Sequence, residues 1–127
     1  MMSVKPASIA SRDHSGATSG MVHQLAIRLP DLDAGVPFYG NTPGPAEAVK
    51  VKAPLLIQRA EIDERINAAW PAYEAALRSA GVRFTAYQYP GTQHGFNNDT
   101  TPRYDASAAK LAWSRTVEFL KAQLGAD

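Results

Sequence analysis

From Met21 onward, the spacing of apolar positions changes from one stretch of the chain to the next. In "SGMVHQLAIRLP", Met21, Val22, Leu25, Ala26 and Leu29 share a helical face, with His23, Gln24 and Arg28 on the other side. Ser19 is the expected N-cap, Pro30 the expected stop, and His23 is expected in solvent. "AGVPFYG" is a short apolar run that predicts a buried strand. "TPGPAEAVKVK" reads as a Pro/Gly loop leading into a second buried strand over Pro54–Gln58.

Helix spacing returns in "NAAWPAYEAALRSAG", with Asn67 as cap and Pro71 in the first turn, where backbone N–H groups lack intrahelical partners. Tyr73 and Leu77 face one way, Glu74 and Arg78 form an i,i+4 pair on the other, and Gly81 ends the helix. "VRFTAYQYP" predicts a strand. Asp105 then caps a long helix on which Trp113, Val117, Leu120 and Leu124 recur, closed by Gly125.

The order helix, strand, strand, helix, strand, helix predicts an α/β fold. About three parallel strands are expected, flanked by helices, which is few for a complete doubly wound sheet. Residues 1–18 are expected as an irregular arm with little to bury, and residues 19–127 as one domain.

Composition narrows the partners. The chain has 127 residues, 45% hydrophobic and 20% charged, which fits a globular protein. A net charge of +1 offers no electrostatic footprint for nucleic acid or an anionic membrane. No apolar run approaches the ~20 residues that span a bilayer, and the amino-terminal stretch lacks the apolar segment of a signal peptide. The absence of cysteine excludes disulfides, thiolate metal sites and thiol catalysis within this chain, and fits a cytoplasmic location.

In a parallel α/β sheet, functional side chains gather on loops at the carboxyl ends of strands. The loop "AEIDERIN" carries Glu61, Asp63, Glu64 and Arg65, and the loop "GTQHGFNND" carries His94. One helix and one strand separate Asp63 from His94, so their parent strands are expected as neighbours. An acid and a histidine on successive strand-end loops match the Asp–His part of a nucleophile–His–Asp triad. From pattern alone a surface Asp and a backbone-bonded His remain equally open. His94, Asp99 and Asp105 lack a metal-ligand spacing, and neither "GTQHG" nor "NTPGPAE" is a phosphate-cradling loop, so no metal or cofactor is expected.

These residues carry a wider resemblance. "VPFYG", "APLLIQRAEIDERINAAWPAYEAAL" and "YPGTQHGFNNDTTPRYDASAAKLAWSRTVEFL" resemble the carboxy-terminal half of the dienelactone hydrolase family, from about Gly20 to Leu124. The resemblance implies a partial α/β-hydrolase fold, a small ester or lactone as substrate, Asp63 as triad acid and His94 as triad base. Family members carry a catalytic cysteine, or serine in related hydrolases, in a G-x-C-x-G-G elbow just before the helix that matches "GMVHQLAIRLP". Laid on this chain without gaps, the motif places Gly16 at the nucleophile. The elbow glycines fall on His14, Thr18 and Ser19, and only Gly20 survives.

Neither Ser15 nor Ser19 replaces the cysteine by pattern. "HSGATSGM" has no G-x-S-x-G spacing and no preceding strand to build the strained turn that exposes a nucleophile. The family's substrate-binding arginine after the histidine falls on Asn98, and Arg103 is explained as a loop residue bonding the local backbone or Asp105. The resemblance thus implies an acid–base pair without its nucleophile, weak or inactive alone. The alternative is a non-catalytic remnant binding a small ligand or a protein partner. An unpaired sheet edge beside "GVPFYG" would favour a homo-oligomer or a complementing chain.

Overall fold

A strand with apolar side chains on both faces requires a layer of structure on each side. The strand over residues 55–62 has this character, and the computed structural model, which describes residues 18–29 and 31–123, shows both layers. The elements are α1 (Thr18–Arg28), a 3₁₀ helix (Pro45–Lys50), β1 (Leu55–Ile62), α2 (Glu64–Ser79), β2 (Phe84–Gln93) and α3 (Ala106–Gln123). Leu55 and Ile57 pack with Ala26 of α1 and with Trp70, Tyr73 and Leu77 of α2. Leu56 and Ala60 point the other way, into a cluster with Tyr89, Phe96 and Ala112 of α3. The period-2 alternation along one strand thus sorts the helices onto two faces.

β1 and β2 pair in parallel, Leu55 opposite Phe84 through to Ala60 opposite Tyr89. The expected strand at "GVPFYG" is reduced to two isolated parallel bridges, Gly35 with Leu55 and Phe38 with Gln58. Two features shorten it. Pro37 has no N–H to donate, and Tyr39 turns the backbone to φ +39°. The hydrogen bonds that remain tie the segment to β1 and the residue before it, from Gly35 N–H to Pro54 O (3.1 Å), Leu56 N–H to Gly35 O (3.0 Å), Gln58 N–H to Pro37 O (2.9 Å) and Tyr39 N–H to Gln58 O (2.6 Å). Val36 and Phe38 expose no surface, so this segment lies inside the fold.

Buried polar bonds tie the sheet to α3. Gln58, midway along β1, donates to Ala112 O (3.1 Å) and Thr116 Oγ1 (3.2 Å) and accepts from the Tyr89 hydroxyl (2.5 Å). All three side chains are buried, and each polar atom finds a partner, which a low-dielectric interior demands.

Several details depart from the sequence pattern. Helix α2 starts at Glu64, so Asp63 holds the N-cap position and Pro71 falls inside the helix rather than in its first turn. Asn67 instead donates to Ala60 O (3.0 Å) and Glu61 O (2.9 Å) and accepts from Arg59 (2.8 Å), tying α2 back to β1. On α3 the buried stripe is Ala109, Ala112 and Thr116, while Trp113 is 45% exposed. His23 is buried, 1% exposed, with its ring edge-on to Tyr73 at 5.7 Å between centroids. Leu124 and Gly125, expected to finish the last helix, lie outside the described residues. The Pro/Gly stretch before β1 contains the 3₁₀ helix, with Pro45 at its start. No helix among the described residues is long and apolar enough to cross a membrane.

Candidate active site

The register of β1 and β2 delivers Asp63 and His94 to one place. Through Ala60 and Tyr89 the strands advance in step, but the next pair is Ile62 with Gln93. β1 has moved on by two residues and β2 by four, so β2 carries a two-residue bulge across Pro90–Gly91–Thr92. Gly91 supplies the left-handed backbone this needs, at φ +73°, and Pro90 sits where the regular ladder is interrupted. Asp63 directly follows Ile62 and His94 directly follows Gln93. Both therefore leave the carboxyl ends of neighbouring strands side by side.

The two side chains meet. His94 Nδ1 lies 2.7 Å from Asp63 Oδ2, with the imidazole 27% and the carboxylate 11% exposed. Asp63 makes no side-chain cap bond to α2, which leaves this oxygen to the imidazole. A carboxylate on Nδ1 favours the tautomer with its proton there, and Nε2 is then the ring nitrogen left to accept a proton. Tyr39 packs against the imidazole at 4.8 Å between ring centroids and against Phe96 at 5.3 Å. Gly95, at φ +88°, turns the chain immediately after His94 and brings Phe96 into the core.

The other sequence candidates hold local structure. The Asn98 side chain, which the family pattern aligns with arginine, accepts bonds from Thr100 N–H (2.9 Å) and Thr100 Oγ1 (2.5 Å). The Arg103 guanidinium lies against Gly95, 3.5 Å from where a Cβ would stand. Asp105 caps α3 as expected, accepting from Ala108 N–H at 3.0 Å. The positions bearing on a nucleophile, His14, Ser15 and Gly16, lie outside the described residues. Ser19 falls within the first turn of α1 rather than at its cap. Among the described residues no three His, Cys, Asp or Glu side chains converge to hold a metal. A surface groove of about 620 Å³, lined by Leu55, Arg83, Phe84 and Phe119 among others, lies at the opposite ends of the strands from His94.

Sequence reasoning missed Tyr39 and the bulge. The aromatic pair before Gly40 was a signal for a ring near the sheet end, whereas the Pro-Gly dipeptide read as the end of β2 rather than as an interruption within it.

Residues 16–124 match the family model described as "Dienelactone hydrolase family". The chain belongs to this family. Among family relatives, a "Putative carboxymethylenebutenolidase" of Saccharolobus solfataricus is 38% identical over 103 residues, which is 80% of this chain and 40% of that protein. The chain therefore spans about 40% of the length of that relative. Among solved structures, a "Putative Dienelactone Hydrolase" from Klebsiella pneumoniae superposes with a TM-score of 0.71 at 26% identity, covering 88% of this chain and 48% of that one. An acylaminoacyl peptidase of Pyrococcus horikoshii shares the fold at 17% identity and a TM-score of 0.70, covering 87% of this chain and 23% of its own. These neighbours have the α/β-hydrolase fold, and the parallel strands and flanking helices described above form part of it.

Proposed function

We propose that this chain carries the acid–base half of an ester- or lactone-hydrolysing site, with His94 as general base and Asp63 as the residue that orients it. The observation that carries the reading is the 2.7 Å contact between His94 Nδ1 and Asp63 Oδ2 at adjacent strand ends. In the full reaction His94 Nε2 takes the proton of a nucleophile as that nucleophile attacks the carbonyl carbon. The proton passes to the departing alkoxide as the carbon–oxygen bond breaks. A water molecule, deprotonated in turn by His94, then attacks the acyl carbon, the acyl–nucleophile bond breaks, and the proton held on His94 returns to the nucleophile as the acid leaves.

The nucleophile is the missing part. The chain has no cysteine, and glycine stands at the position that aligns with the elbow cysteine. We infer that the nucleophile comes from polypeptide outside residues 1–127, on the same longer polypeptide or on a complementing chain. Without it, loss of activity on the order of 10⁶-fold is expected by analogy with serine triads, and the residual rate proposed for this chain is general-base activation of water by His94.

The experiment is hydrolysis of a small activated ester and an enol lactone by this chain beside its His94→Ala variant. Slow turnover above buffer that the variant loses is the expected result. Equal rates for the two proteins would overturn the assignment of His94 as a functional base.

A further inference from the structure

Glu61 stands two residues before Asp63 on β1, and the chemistry above does not use it. Its side-chain Oε1 accepts the Gly91 N–H at 2.6 Å. Its own N–H donates to Thr92 Oγ1 at 3.4 Å, and the Thr92 hydroxyl in turn donates to Tyr89 O at 2.6 Å. Glu61 therefore grips the β2 bulge through both its backbone and its carboxylate, at the residues where the register shifts.

The bulge decides which side chain meets Asp63. Were the strands to continue in step beyond the pairing of Ala60 with Tyr89, Ile62 would lie opposite Gly91 and Asp63 opposite Thr92. The two extra residues replace that threonine with His94. A bulge costs ladder hydrogen bonds, and here the freed Gly91 N–H is satisfied by a carboxylate, a charge-assisted bond stronger than a neutral one. The left-handed Gly91 points this N–H out of the ladder toward Glu61.

We propose that Glu61 is a positioning residue for the Asp63–His94 pair, its carboxylate locking the bulge that sets His94 rather than Thr92 beside Asp63. This rests on the reading of that pair as functional. Because Glu61 touches neither ring nor substrate, its effect reaches His94 only through the geometry of Pro90–Gly91–Thr92.

The test follows the pH titration of the His94 ring signals by NMR, assigned against His94→Ala, in the wild type, Asp63→Asn, Glu61→Ala and Glu61→Gln. The Glu61→Ala curve is expected to move from the wild-type curve more than halfway to that of Asp63→Asn. Glu61→Gln keeps an acceptor oxygen and is expected to stay near the wild type. A Glu61→Ala curve that overlays the wild type while Asp63→Asn moves would overturn the Glu61 role alone. An Asp63→Asn curve that itself overlays the wild type would refute the pairing, and the proposed function with it. A purely structural role for Glu61 would lower the melting temperature and leave the His94 curve in place, which also counts against the proposal.

Discussion

Burial of His23 makes the stability of this fold depend on pH in a calculable way. The imidazole is enclosed between α1 and α2, its Nδ1 has no hydrogen-bond partner among the described residues, and burial lowers its pKa from 6.5 to about 4. The group facing it is Tyr73, whose phenol is pushed up to about 12 by burial and by the Glu47 carboxylate of the 3₁₀ helix, and is neutral throughout the acid range. Between pH 6.5 and pH 4 the unfolded chain binds a proton at His23 that the folded chain refuses. Stability is then full above pH 6.5 and drains away as pH falls, levelling off below about 4 where both states are protonated. At about 1.4 kcal/mol per unit the whole loss is roughly 3 kcal/mol, of which about 2 kcal/mol is spent by pH 5. That is a large part of the stability of a small domain. The assay is urea unfolding at pH 7.5, 6, 5 and 4.5 for the wild type and His23→Leu, an apolar replacement of similar size. The difference between the two isolates His23 from every other titrating group. Wild-type stability is expected to fall by about 2 kcal/mol more than that of the variant between pH 7.5 and 5. Parallel pH profiles would refute the reasoning.

The other expectations concern packing. Tyr89→Phe removes the hydroxyl that donates to Gln58 and leaves a buried acceptor unpaired, so it is expected to cost about 1–3 kcal/mol in urea unfolding. Trp70→Ala is expected to cost about 3–5 kcal/mol, since Trp70 is buried between Arg59 and Phe84. Trp113→Ala, at a half-exposed site, is expected to cost well under half of that in the same assay. Equal costs would return Trp113 to the core.

The order of the three α-helices and the two paired strands, and the Asp63–His94 meeting, were legible because each rests on local signals. Apolar runs marked the strands, and one intervening helix makes two strands neighbours. What was not legible depends on contacts between segments. His23 looks solvent-facing beside Gln24 and Arg28, and only the approach of Tyr73 from α2 encloses it. Trp113 fits an apolar helical stripe as well as Ala112 does. α3 instead buries its small residues, where the Ala112 carbonyl and the Thr116 hydroxyl accept from Gln58. Asn67 passes for a cap until β1 offers it two carbonyls. The bulge hides in the sequence for a related reason. Pro90–Gly91 usually announces a turn, and the acceptor that keeps this one within a strand belongs to Glu61, 30 residues earlier.

The left-handed backbone of Tyr39 narrows what evolution can place there. A non-glycine residue at φ +39° carries roughly 1–2 kcal/mol of steric strain that glycine would relieve. Glycine, however, would remove a buried ring wedged against both His94 and Phe96, and large buried aromatics are worth about 3–5 kcal/mol on truncation. The two demands pull toward opposite ends of the amino-acid alphabet, and the β-branched residues satisfy neither. Position 39 is therefore a narrow passage in sequence space. A drifting lineage that crosses it by way of glycine loosens the wall behind the histidine before Asp63 or His94 has changed.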